Sequence, residues 1–404
     1  MQKVRIGIIG SGASVEWAIV PALSGSDTLA PPDTGAWWTR RPGPNGDIRY
    51  QPPATPDVVG LSAQFNEDKI EPFGARVSPR LELLSRSVRG VALYQNAATM
   101  LRELPMDVLL VAAGDDELLQ PSVIAQFVAG NPGVSDGVAP PRWVWIDGPP
   151  ARSLAELGAF ARDATGRAPS LWVAAPLKRA AAHRAASRLI ERDGIGEVTA
   201  LQARFPFPLD EGRFGSAYAA FDLLLSFIPG GAGTPREVMA SRHDDGATSI
   251  MLRLAGGATI TALFGAADAW NTPLPRVEIC GTQGRFLVCE AGRRLWHHVP
   301  REGARLWEPP GMAAHISSSN LAGYAEDLKA FLAVCVNNPA PFNAERALGA
   351  AARALGALEA TFLALETSTV QPILARGPQT RPVDTLVMEP ENVPPARNLT
   401  LELG

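Results

Sequence analysis

The chain opens on the feature that most restricts its fold. Val4-Arg5-Ile6-Gly7-Ile8-Ile9 is an apolar run of strand length, and it meets Gly10-Ser11-Gly12-Ala13-Ser14 without a spacer. A buried strand that enters a glycine turn and leaves as a helix presents backbone N–H groups to a pyrophosphate. Gly10 permits the tight turn, Gly12 lets the backbone approach the phosphates, and Ser11, Ala13 and Ser14 carry the turn into the positive end of the helix. The third glycine of the G-x-G-x-x-G pattern is replaced by Val15. These five residues are expected to bind a dinucleotide. A plain glycine turn between a strand and a helix is the alternative.

The rest of the first 150 residues alternates between strand and helix, as in a doubly wound parallel sheet. Apolar residues from Val15 to Leu23 recur at helical spacing, and Gly35 to Thr39 reads as the second strand, closed by Arg40-Arg41-Pro42-Gly43. Residues 43–60 are rich in Pro and Gly and read as an insertion or long loop, followed by a polar helix near Asn66 to Arg86. Gly90 to Tyr94, Asp107 to Ala113 and Trp143 to Ile146 read as further strands, the last ending at Asp147-Gly148-Pro149-Pro150. The ends of two of them, Ala113 and Asp147, are expected at the cofactor crevice. Beyond residue 150 the pattern changes. A strand at Leu171 to Ala175 and a helix from Arg179 to Arg192 precede a succession of strands, 198–205, 247–254, 258–264, 276–280 and 285–289. Gly256-Gly257 joins two of these as an antiparallel hairpin. Tyr324 to Val336 and Glu345 to Glu366 read as amphipathic helices. The expected division is 1–150, an α/β nucleotide domain; 151–375, an α+β domain for substrate and self-association; and 376–404, a proline-containing tail.

Composition narrows the partners. A length of 404 residues favours two domains, and a formal charge of −4 gives no basic field for nucleic acid. No uninterrupted apolar run reaches membrane-span length, and no basic amphipathic stretch points to a membrane surface. The opening has no charged-then-apolar leader. Three scattered cysteines, Cys280, Cys289 and Cys335, fit a reducing cytoplasm and packing roles. The five histidines include one adjacent pair, His297-His298, and neighbours on a strand point to opposite faces. No metal site is assigned.

Several landmarks occur in the order found in the Gfo/Idh/MocA family, the relatives of glucose-fructose oxidoreductase and inositol dehydrogenase. The opening strand and glycine turn resemble that family's start, and Asp107 to Ala113 is similar to its fourth strand. Gly194-Ile195-Gly196-Glu197-Val198 is similar to the segment entering its second domain. Glu278 to Gly284 and Tyr324 to Phe331 resemble a strand–turn and a late helix of that domain. The resemblance spans roughly residues 1–375. It implies a Rossmann domain followed by an α+β domain with a large, mostly antiparallel open sheet, through which homodimers or homotetramers form. It also implies NAD(P)-dependent oxidation or reduction of a sugar, polyol or related small carbonyl compound.

The catalytic positions depart from the family. Its Glu-Lys-Pro segment corresponds to Asp147-Gly148-Pro149, so the lysine that polarises the reacting oxygen is a glycine. Its aspartate, and the acid/base histidine four residues later, correspond to Gly215 and Ala219, with the register anchored by Asp222-Leu223-Leu224. A general acid or base contributes about 10²–10⁴-fold in rate, so the loss needs a replacement. Lys178, one of four lysines, follows a strand end where α/β sites form, and is a candidate proton donor or substrate anchor. A solvated lysine capping the turn is the alternative. Tyr218 is a second candidate donor if a nearby cation lowers its pKa; a core tyrosine is the alternative. Arg179, Arg204 and Arg213 can fork onto a carboxylate or phosphate, while His183 reads as a helix-surface residue and Asp147 as a residue orienting its turn. Thr39-Arg40-Arg41, after the expected second strand, suits a 2′-phosphate, which favours NADP over NAD; two solvated arginines are the alternative. Three functions stay open: an oxidoreductase with rearranged catalytic groups, a non-catalytic nucleotide-binding or regulatory relative, and an enzyme using a tightly held cofactor for transient oxidation.

Overall fold

The computed structural model describes residues 3–10, 39–42, 48–51, 55–62, 91–94, 97–112, 141–164, 170–228, 230–265, 275–289, 294–300, 303–307, 323–337 and 344–373, together with the isolated helical residues Val15, Ile19 and Leu23. It is an α/β unit with a doubly wound parallel sheet joined to an α+β unit with a large, mostly antiparallel sheet.

The first sheet contains β1 (Lys3–Ile9), β4 (Thr55–Ser62), β5 (Ala92–Tyr94), β6 (Val108–Ala112), β7 (Trp143–Asp147) and β8 (Ser170–Val173), in the order β5-β4-β1-β6-β7-β8. Every pairing is parallel. Its central strands are buried on both faces, which is why β6 reads as an unbroken apolar run. Val15, Ile19 and Leu23, four residues apart, are buried against the sheet with Ile6, Ile8 and Leu110. The sequence expectation for the second strand is corrected here. Thr39 begins β2 (Thr39–Pro42), which among the described residues pairs with β3 (Ile48–Gln51) in a separate two-stranded ribbon. The strand beside β1 is β4, drawn from the stretch whose prolines had read as a loop. The sixth strand, β8, carries this sheet past residue 150. The helix expected at 66–86 and the tail from 376 lie outside the described residues.

The second sheet runs β16-β15-β14-β13-β9-β12-β11-β10-β17. Its members are β9 (Val198–Phe205), β10 (Pro235–Arg242), β11 (Thr248–Leu254), β12 (Thr259–Phe264), β13 (Arg276–Gly281), β14 (Arg285–Cys289), β15 (Arg294–Val299), β16 (Gly303–Trp307) and β17 (Gln371–Pro372). Only β9 and β12 pair in parallel. The strands alternate, so one face is apolar and buried: Leu201, Ala203 and Phe205 of β9 lie beside Ile260, Ala262 and Phe264 of β12. Phe264 stacks on Phe205 at 5.0 Å and on Phe221 at 6.1 Å.

The α-helices with both ends among the described residues are α1 (Ala97–Glu103), α2 (Leu154–Ala164), α3 (Pro176–Arg179), α4 (Ala181–Glu191), α5 (Phe214–Ser226), α6 (Tyr324–Asn337) and α7 (Ala344–Thr367), with short 3₁₀ turns at Glu211–Arg213 and Gly231–Gly233. The helix expected from Arg179 is broken at Ala180, whose ψ of 138° is extended, so α3 and α4 are separate. α6 packs Leu328 and Phe331 on the first sheet. α7 touches β8 and α2 on one side and β10 and α5 on the other. Its Glu359 accepts the free N–H of Leu154 at 2.8 Å, a carboxylate at the positive end of α2. Residues 348–367 have the length and apolarity to cross a membrane, yet 61% of that stretch is buried inside the protein.

Candidate active site

Parallel strands end on a common edge, and the connections diverge where β1 lies between β4 and β6. Such a switch point is where open α/β sheets form a ligand crevice. Gly10 stands there at φ +127°, and a Cβ on it would drive into the carbonyl oxygen of Ala112 at the end of β6. Only glycine meets both demands. Val15, at the third position of the fingerprint, is fully buried, so an isopropyl group spaces the helix from the sheet. The glycine cradle at Gly10 and the buried helical face behind it fit a dinucleotide-binding turn. Ser11, Gly12, Ala13, Ser14 and Ala113 lie outside the described residues.

The ribose end needs a correction. Ser62, in register with Ile9, ends the strand beside β1. Arg40 and Arg41 do not follow that strand; they belong to the separate ribbon. The argument for NADP built on those two arginines falls with that register.

On the reacting side, β7 ends at Asp147, and Gly148 follows at φ +103° with open space around it. The position expected to correspond to the lysine of the resembled family thus has a backbone conformation that side-chain-bearing residues resist. Asp147 accepts a hydrogen bond from the Tyr324 hydroxyl, 3.0 Å to the nearer oxygen. The bond ties the end of β7 to α6.

Lys178 lies on α3, directly after β8, and its Nζ reaches Asp222 Oδ1 on α5 at 2.5 Å. The pair is largely enclosed, with 25% and 11% of the two side chains exposed. At 100° per residue, Gly215, Tyr218, Ala219 and Asp222 share one face of α5. Gly215 and Ala219, the positions expected to correspond to the aspartate and histidine of the resembled family, are small, and one turn further on Asp222 holds Lys178. Tyr218 is 2% exposed. Burial first, then the Asp222 carboxylate, pushes its hydroxyl well above 10.0. This corrects the expectation of a lowered pKa: the nearby cation is held by Asp222, and the net effect on the phenol has the opposite sign.

The other candidates disperse. Arg179 pairs with Asp327 at 3.6 Å and lies over the Trp172 ring. Arg204 pairs across strands with Arg276 on the open face of the second sheet. Arg213 is exposed ahead of α5. His183 is buried rather than on the helix surface; its Nδ1–H donates to the Leu177 carbonyl at 2.7 Å. Burial lowers its pKa to about 4, which keeps it neutral.

Sequence reasoning missed Asp222 as a functional group, along with Tyr324 and Asp327. A signal was present for the first: an acid inside Phe221-Asp222-Leu223-Leu224-Leu225 is a carboxylate on an apolar helix, which must find a partner.

No protein-family model matches the sequence, and no curated protein sequence matches it. Solved structures do. An oxidoreductase from Agrobacterium radiobacter in complex with NAD+, L-tartaric acid and magnesium is 15% identical, with a TM-score of 0.63 over 92% of this chain and 98% of that one. Levoglucosan dehydrogenase in complex with NADH and levoglucosan gives 14% and 0.66 over 92% and 100%. An NAD binding oxidoreductase from Klebsiella pneumoniae gives 14% and 0.64 over 92% and 99%. The fold is theirs. Their coverage of nearly the whole chain means that both sheets, in this order, belong to the shared architecture.

Proposed function

We propose that the protein is an NAD(P)-dependent oxidoreductase for a sugar, polyol or related small carbonyl compound. In this reading Lys178 and Asp222 do the proton chemistry that the family assigns to a lysine, an aspartate and a histidine. The observation that carries this is the enclosed Lys178–Asp222 pair: the lysine follows β8, and the aspartate shares one face of α5 with the small residues Gly215 and Ala219. The fold shared with NAD-dependent enzymes supports the cofactor class. Gly10 and the residues following it would hold the pyrophosphate, and the bound nicotinamide supplies or accepts the hydride. Lys178 would pass a proton to the substrate oxygen when the carbonyl is reduced and take the hydroxyl proton back when the alcohol is oxidised, with Asp222 holding its side chain in place. A positioned acid of this kind is worth about 10²–10⁴-fold.

The test has two stages. Titration with NADH and NADPH, followed through the fluorescence of the nine tryptophans, should show saturable binding of at least one nucleotide. A panel of sugars, polyols and keto acids then identifies a substrate, and Lys178→Met should lower kcat by about 10²-fold or more without weakening the nucleotide. Binding of neither nucleotide refutes the reading. Nucleotide binding with no turnover across the panel would favour a nucleotide-binding or regulatory relative, to which the loss of the family's three catalytic side chains also points.

For self-association we propose the open face of the second sheet. One file of cross-strand neighbours runs from Leu306 and Trp296 through Glu278 and Gln202 to Met251 and Met239. Trp296, Leu306 and Met239 are 38%, 45% and 46% exposed. A trough of about 470 Å³ crosses the middle of this face, away from Lys178. Light scattering should give a dimer or tetramer that Trp296→Glu dissociates.

A further inference from the structure

We propose that the first turn of α6 sets the position of Lys178, with Asp327 as the positioning residue. The inference rests on the reading of Lys178 given above, but its evidence is separate. The last residues before α3, and α3 itself, are gripped from α6 at several points. Gly323, at φ +79°, is so close to the turn that a Cβ would drive into the carbonyl oxygen of Pro176 and crowd the Ala180 nitrogen. Glu326 pairs with Arg184 at 2.6 Å, one turn into α4. Between them Asp327 is fully buried.

The two oxygens of Asp327 do different work. Oδ2 accepts both indole N–H groups, from Trp145 at 2.8 Å and Trp172 at 3.0 Å, which are paired neighbours on β7 and β8. Oδ1 faces the other way, accepting Ala175 N–H at 3.3 Å and pairing with Arg179 Nε at 3.6 Å. One oxygen therefore fixes α6 to the sheet, and the other fixes the segment that bears Lys178. Lys178 lies between two residues bound to Oδ1, Ala175 and Arg179. Its ammonium can meet Asp222 only if that backbone stays where Asp327 holds it.

This asymmetry gives a selective perturbation. In Asp327→Asn the amide oxygen stays with the two shorter indole contacts, and the NH₂ group is turned towards Ala175 N–H and Arg179, donor against donor. The sheet contact survives and the α3 contact is lost. Burial pushes the Asp327 carboxyl up, so an uncharged isostere does not add a desolvation cost.

The chain has only four lysines, Lys3, Lys69, Lys178 and Lys329. Full-length protein labelled with ¹³Cε,¹⁵Nζ-lysine therefore gives few side-chain signals, and Lys178 is assigned by its loss in Lys178→Arg. Asp222→Asn should move that signal. Asp327→Asn should move it in the same direction, with nucleotide affinity unchanged. On a substrate that is turned over, Asp327→Asn should lower kcat by about tenfold or more with KM held within about twofold, because a displacement on the order of 1 Å is enough to cost that much. Arg179→Gln, a partly exposed site, is the second variant. It leaves the indole hydrogen bonds to Asp327 in place and should shift the signal part of the way, and it decides the question if Asp327→Asn does not fold. A Lys178 signal unmoved by the folded Asp327 variant, or by Arg179→Gln in its place, overturns the proposal. If the signal moves while no substrate is ever found, the positioning role stands and the oxidoreductase reading fails.

Discussion

Acidification should destabilise the protein through His183. In the folded chain this imidazole is buried, packs edge-on to Phe227 at 6.1 Å and donates Nδ1–H to Leu177. Its pKa falls from 6.5 to about 4. The unfolded chain therefore binds a proton that the folded one refuses. The corresponding stability is fully present above pH 6.5 and is lost as pH falls towards 4. Linkage gives a loss of about 2.5 kcal/mol between about pH 7 and about pH 4.5, approaching ~3 kcal/mol at pH 4. Carboxylates titrate over the same range, so the measurement must be differential. Urea unfolding of the wild type and of His183→Asn, whose amide N–H can replace Nδ1–H, should be compared at both pH values. The wild type should lose about 2.5 kcal/mol more than the variant over that interval. Parallel losses would refute the assignment of a buried, neutral imidazole, and with it this account of how the Leu177 carbonyl, next to Lys178, is held.

Gly10→Ala should cost about 3 kcal/mol or more in urea unfolding, since strain at φ +127° adds to collision with Ala112, and it should abolish nucleotide binding. Gly148→Lys should cost less, about 1–2 kcal/mol, because the strain at φ +103° comes without a clash; denaturation midpoints rank the two. Tyr218→Phe should become the more stable form above about pH 10. A hydroxyl whose folded pKa is raised contributes stability that is lost as pH rises past its unfolded value, and alkaline unfolding monitored by phenolate absorbance tests this.

The two-sheet architecture was legible because strand periodicity and glycine placement are local. β6 and β7 read directly from their apolar runs, and the β11–β12 hairpin from Gly256-Gly257. β4 was not legible, since Pro56 and Gly60 argue against a strand unless a neighbour accepts them; Gly60 is buried against Leu104 and Met100, where a side chain would not fit. β10 was missed because it opens on Pro235 and ends in polar residues, and β15 because His297 and His298 interrupt its apolar alternation. At the proposed site, the place of Lys178 just after a strand was legible. Its partner was not, because Asp222 lies 44 residues away and only the packing of α3 on α5 brings the two together.

The late helix α7 has a consequence for how the chain becomes a protein. Its buried side, Leu348, Ala351, Leu355, Leu358 and Ala364, closes against both sheets, and its Glu359 completes α2. Neither half can bury its share of that surface until residue 367 has left the ribosome. The nascent chain must therefore carry an open apolar seam through most of its synthesis, a period in which partly folded chains are prone to aggregate. Excising the first 150 residues as a separate module would leave β8 and α2 behind with α7 and bare the edge of β7.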